Sequence, residues 1–187
     1  MEINARIAAR VRQIRADNGL ALDALAERSG VSRSMISLIE RGESSPTAVV
    51  LEKLAAGLGV PLASLFDAPA APADPVSRRK TQLEWRDPAS GYVRRNVSPA
   101  GFPSPLQIVE VVFHAGARVD YETGPRPGVQ HQQIWVLQGT LEVTVDKTCH
   151  ELGAGDCLAM VVDRQITFRN RTSKPARYAV IIDHRPA

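Results

Sequence analysis

"RSGVSRSMISLIERG", residues 28–42, decides how the first third of this chain is read. Leu22, Leu25 and Ala26 mark a short helix that Gly30 closes, since glycine accepts the left-handed backbone at a helix end. Ser32 is then placed to cap a second helix, with Met35, Ile36 and Ile39 expected to face inward. Gly42 stops it. Ser32, Arg33, Ser34 and Ser37 fall on the side away from Ile36 and Ile39.

The same period extends outward. Ile3, Ile7, Val11 and Ile14 share one face of a preceding helix that ends at "DNG". After "ESSPT" a fourth helix carries Val50, Leu51, Leu54, Ala55 and Leu58. A short fifth begins near Pro61 and buries Leu65 and Phe66. "DAPAAPADPVSRRK", residues 67–80, has no periodicity; prolines among alanines predict an extended, semi-stiff connector. From about residue 81 short β-rich runs separated by Gly, Pro and Asp take over: "LQIVEVVF", "QIWVLQG", "TLEVTVD", "DCLAMVV", "ITFRN" and "ARYAVIID". Strands with no helix between them predict an antiparallel sandwich or barrel. The expected class is α+β as separate domains: all-α over 1–66, linker over 67–80, all-β over 81–187.

Two short helices joined by a glycine turn, the second small and polar outside, make a helix-turn-helix pattern. A helix read by the major groove must bury one side to be rigid and present short hydrogen-bonding groups on the other. Arg33 suits a guanine edge, Ser34 and Ser37 are adaptable contacts, and Ser32 joins that face. Arg41, Ser44, Ser45 and Thr47, within "RGESSPT", offer charge, hydroxyls and helix-start N–H groups to phosphate. Residues 1–66 hold eight Lys or Arg against seven Asp or Glu, so affinity must come from local placement, not bulk charge.

The stretch from "LAERSGVSRSMISLIERG" to "GVPLASLF" resembles the five-helix DNA-binding domain of the lambda-repressor-like (XRE) regulators. Members of that family often carry Ser or Thr, then Gln, where this chain has Ala21 and Leu22. Backbone amides or the first helix's arginines must then replace those two phosphate contacts. The distal half resembles the cupin fold, a small β-barrel (jelly roll) whose two signature segments supply metal ligands. In "GPRPGVQHQQIWVLQG", residues 124–139, the signature histidine positions fall near Arg126 and Gly128, and the Glu position is Gln132. "GDCLAMVVDRQITFRN" has Val161 for the signature proline and Ile166 for its histidine. No metal or other cofactor is therefore expected. His131 should face away from the cavity, His150 sits in a turn, His184 is near the terminus, and His114 alone can look inward.

With ligands exchanged for amides and hydrocarbon, the barrel is expected to bind a small effector, a carboxylate or an amino acid, and/or to be the dimerisation domain. Arg118, Tyr121 and Arg126 precede the first signature strand; Gln132, Ile166 and Phe168 face the interior by strand parity. An arginine there suits a carboxylate, and Gln132 an amide or amine. Cys149 and Cys157 are not in a CxxC and are expected to be reduced and partly buried. No signal peptide or membrane-length apolar run is legible, so a soluble, cytoplasmic protein with no membrane partner is expected. Together these imply a non-enzymatic transcriptional regulator, a repressor by resemblance, whose partner is a palindromic double-stranded DNA operator and which acts as a homodimer. The alternative is a metal-dependent cupin isomerase or dioxygenase fused to a DNA-binding domain.

Overall fold

Gly30 takes the left-handed backbone at φ 67°, and its N–H returns to the Ala26 carbonyl. This turn separates α2 (Leu22–Ser29) from α3 (Arg33–Glu40). They lie between α1 (Ile3–Asp17) and α4 (Ala48–Leu58), and a single 3-10 turn, Leu62–Phe66, stands where a fifth α-helix is expected. Those five residues are too few to sustain an i→i+4 ladder, yet Leu65 and Phe66 are buried as expected. The computed structural model describes residues 3–66, 74–122 and 130–183. Residues 67–73 of the expected linker lie outside those described.

Helical spacing places Ile7, Val11, Leu25, Ile36, Ile39, Leu51 and Leu54 in one core. Met35 departs from expectation: it lies on the outer side of α3 and is 36% exposed. It precedes Ile36 by one residue, about 100° round the helix, beyond the buried stripe. Arg15 clamps the end of α3 to α1: its Nε and Nη2 donate to Glu40 at 2.6 and 2.8 Å, and Nη1 donates to the Leu20 carbonyl. Glu40 holds the Arg15 guanidinium still further above its ordinary pKa.

Ten strands are described beyond residue 83: β1 (Glu84–Arg86), β2 (Val93–Asn96), β3 (Leu106–Phe113), β4 (Arg118–Tyr121), β5 (His131–Gln138), β6 (Leu141–Val145), β7 (Thr148–Leu152), β8 (Cys157–Val161), β9 (Ile166–Arg169) and β10 (Ala176–Asp183). They form two antiparallel sheets, β1-β2-β3-β10-β5-β8 and β4-β9-β6-β7. The two inner faces enclose the barrel core, as in a cupin-like jelly roll. β1, β2, β4 and β7 were not anticipated. His150 lies in β7 opposite Val143, not in a turn, and the chain reverses at Asp146, with φ 55°. Cys149 and Cys157 are free thiols and exposed, where partial burial was expected.

Helices and strands keep to separate halves of the chain, but the buried side chains form one continuous cluster. Phe66 of the 3-10 turn meets Trp85 of β1 edge-on, 5.6 Å between ring centres. Seven of the nine aromatic residues continue from there as a chain of ring contacts: Phe66, Trp85, Tyr92, Phe113, Tyr178, Phe168, Tyr121. The first α4 N–H, from Ala48, donates to Asp87 Oδ1 of the β1–β2 turn at 2.9 Å. Asp87 is itself fixed by Ser90. At the other side Lys53 Nζ lies 3.2 Å from Glu122 Oε2. Among the described residues no helix is long and apolar enough to cross a membrane.

Candidate functional site

The outer face of α3 is held out by the apolar residues behind it. Ser32 is the N-cap: its Oγ accepts from Met35 N, and the hydroxyls of Ser32 and Ser34 are 3.2 Å apart. Arg33 projects outward, its Nε 3.1 Å from Asp23 Oδ1 of α2, with the two side chains 66% and 79% exposed. A pair so exposed is worth under about 1 kcal/mol, so Arg33 is readily released to another acceptor. Ser37 accepts from Arg41 Nη1, and Arg41 also makes two parallel bonds to Glu43 at 2.8 and 2.9 Å. That guanidinium holds the Glu43 carboxyl below its ordinary range.

The rest of "RGESSPT" is largely committed within the bundle. Ser44 Oγ donates to Met35 Sδ, Ser45 Oγ accepts from Asn4 Nδ2, and Thr47 Oγ1 caps α4 by accepting from Val50 N. The structure thus brings the eight DNA-facing candidates onto α3, its cap and the loop after it, with Arg33 and Ser34 exposed to solvent. Asn4 and Asp23 join them and were not singled out from sequence; Met35, expected to face inward, joins them too. The Met35 signal was available in its angular offset; those of Asn4 and Asp23, set by tertiary packing, were not. Ala21 precedes α2 and supplies no side-chain cap, in keeping with the missing hydroxyl.

A second concave site lies between the sheets. Val111, Ile166, Phe168, Val180 and Ile182 make its apolar wall. Arg94, Gln130, Gln132 and three tyrosines, Tyr92, Tyr121 and Tyr178, supply its polar groups. Four of the six effector candidates, Tyr121, Gln132, Ile166 and Phe168, line this pocket. Arg118 does not: it turns outward and pairs with Asp120 at 2.8 Å. Arg126 lies outside the described residues. Arg94, Tyr92 and Tyr178 were missed from sequence.

Burial of Arg94 has a visible partner, since its guanidinium lies 5.1 Å over the centre of the Phe66 ring. The neighbouring Arg95 faces the other way, to Glu84 and Glu110. The hydroxyls of Tyr92 and Tyr121 are 3.1 Å apart. Burial pushes the phenols of Tyr121 and Tyr178 well above their ordinary range and raises that of Tyr92. All three remain neutral hydroxyls able to donate. Two residues come from the helical half, Glu52 of α4 and Leu62 of the 3-10 turn.

The described residues do not fit the metal that a cupin barrel usually holds. Gln132 and Ile166 stand at two signature positions, and neither is a ligand of the expected kind. His131 is exposed, and His114 lies beside Arg86, Nε2 to Nη1 3.3 Å, at the rim near Gly91 instead of facing inward. Among the described residues no three His, Cys, Asp or Glu side chains converge.

The model of the helix-turn-helix family HTH_3 matches residues 11–65. Over nearly the whole length, the chain is 29% identical to the HTH-type transcriptional regulator SutR of Escherichia coli K12, covering 93% of this chain and 92% of that one. It is 33% identical over 60 residues to the HTH-type transcriptional regulator y4dJ of Sinorhizobium fredii, covering 32% of this chain and 78% of the relative. The crystal structure of an HTH_3 family transcriptional regulator from Vibrio cholerae superimposes with a TM-score of 0.75 at 25% identity, covering 98% of this chain and 97% of that one. With a glycine turn, a capped α3 and its outward Arg/Ser face in the matched segment, the chain belongs to the HTH-type transcriptional regulators, and its helical half is their DNA-binding element.

Proposed function

We propose that the chain is a homodimeric repressor in which residues 1–66 read a palindromic operator and the barrel, residues 81–187, binds a small effector. The observation that carries the reading is the pairing of an outward Arg33/Ser34 face with an apolar pocket holding one buried arginine and three neutral hydroxyls. The three tyrosines are neutral hydroxyls that can donate hydrogen bonds to a bound ligand. Selection of random-sequence duplex DNA by the purified chain is expected to enrich two half-sites about one helical turn apart. Failure to enrich any sequence at moderate salt would remove operator recognition from this reading.

The outer face of the six-stranded sheet suits a second copy of the chain. Leu106, Ile108 and Trp135 are exposed there, and register sets Ile108 beside Ile181 and Trp135 beside Ala179, giving a contiguous apolar patch. One recognition helix reads only a few base pairs, so two-fold pairing of the barrels would supply the second helix. Trp135→Glu is expected to halve the sedimenting mass at micromolar concentration while leaving the circular dichroism spectrum intact. An unchanged dimer mass would place the interface elsewhere.

A further inference from the structure

We propose that the helical half is itself the lid of the barrel pocket, and that a small carboxylate drawn to Arg94 takes the place of Glu52 and unseats α4. This rests on the reading of the barrel as an effector sensor and adds how the signal leaves it. The pocket wall is composite: Glu52 and Leu62 come from the helical half, the remaining lining from the barrel. With the helices seated, the cavity is only about 60 Å3. That is room for a few waters, against roughly 300–1,000 Å3 for ordinary small-molecule sites. A ligand with both a charged head and an apolar body needs the lid to move.

Charge sets the class of ligand. Among the described residues, Arg94 and Glu52 are the charged ones lining the pocket, 6% and 8% exposed, one from each half. The helical half thus brings a carboxylate to the cavity in which the barrel holds its guanidinium. A ligand carboxylate has the same charge and can make the planar two-bond arrangement arginine favours, with the tyrosine hydroxyls as further donors. Ligand and seated α4 then compete for the same ground.

The helical half is seated by two buried contacts, the Ala48–Asp87 bond and the Phe66–Trp85 pair, by Arg94 over Phe66, and at the margin by the Lys53–Glu122 pair. Because α2, α3 and α4 share one core, a shift of α4 carries the recognition helix with it. Operator affinity changes only by as much as the ligand prefers the unseated arrangement.

The test uses the full chain carrying Trp135→Phe, so that buried Trp85, at the seam against Phe66, is the remaining tryptophan. Acetate, benzoate and succinate are titrated against acetamide, benzamide and succinamide, by calorimetry and Trp85 emission. At least one carboxylate is expected to bind where its amide does not, moving the emission to longer wavelength and raising amide hydrogen exchange along α4. Arg94→Gln should weaken that binding at least tenfold. Lys53→Glu, which breaks the marginal pair without touching the pocket wall, should tighten it about threefold or more. Binding with unchanged emission and equal affinity in Lys53→Glu would overturn the lid but leave the sensor. No binding by any of the three acids, with wild-type or Lys53→Glu protein, would overturn the carboxylate competition itself. If a bound acid opens the seam yet operator affinity stays the same, the sensor reading fails instead.

Discussion

Arg33→Ala is expected to abolish most operator recognition while leaving the fold as it is. A guanidinium that reads a guanine edge discriminates by about 1–3 kcal/mol, and a dimer on a palindrome loses that contribution at both half-sites. The combined loss, about 2–6 kcal/mol, corresponds to roughly 30-fold to 20,000-fold in affinity. The folded state has little to lose, because the intramolecular partner, Asp23, is an exposed carboxylate on α2. Gel-shift titration at fixed salt measures the first effect and thermal unfolding the second. Arg41→Ala gives a useful contrast, since a phosphate contact should weaken all sequences alike and reduce the salt slope by about one per contact. Operator affinity unchanged in Arg33→Ala would sink the assignment of α3 as the reading helix.

The helical half was largely legible because its signals are local. A 3.6-residue apolar period, Ser32 as cap and Gly30 as terminator each act within a few residues, and the structure keeps all three; the capping role of Thr47 was not read. The barrel was legible where strands are rich in hydrocarbon, as in β3, β9 and β10. β1 is three residues long, and β2 reads "VRRN", in which the inward residue is an arginine. No hydropathy alternation can announce a strand whose buried position carries a charge.

The same reason hid Arg94 from the site. Its burial depends on Phe66, which arrives from the other half of the chain, and no local pattern reports that encounter. Gln132, Ile166 and Phe168 were found because strand parity is a two-residue rule. Arg118 and Tyr121 were both expected at the effector site, yet three residues along a strand reverses the face: Tyr121 points in, and Arg118 points out to Asp120. The connection between halves was the least visible feature. A proline-rich linker predicts separation, whereas the seam at Phe66, Asp87 and Lys53 packs the two halves together.

Gly57→Val is expected to destabilise the helical half by about 3 kcal/mol or more, against what helix propensity alone suggests. Gly57 lies inside α4, where glycine costs about 1 kcal/mol relative to alanine, so adding a side chain should help. Space decides otherwise. A Cβ on Gly57 would stand 2.8 Å from Ser29 Cβ, 3.0 Å from Ser29 N and 3.1 Å from Ser29 Cα. Those are mostly backbone atoms at the end of α2. Ser29 cannot yield freely, because its Oγ donates to the Leu25 carbonyl and accepts from Val31 N, bracketing the Gly30 turn. Overpacking against a fixed neighbour costs about 1–3 kcal/mol for the first atoms, and two branched methyls add to it. For a chain of this length the melting point should fall by roughly 6–12 °C. Because the strain falls on the turn that sets α3 relative to α2, operator affinity should fall as well, even at temperatures where the protein stays folded. A melting point equal to or above that of the parent chain would mean that α2 and α4 do not meet at Ser29 and Gly57.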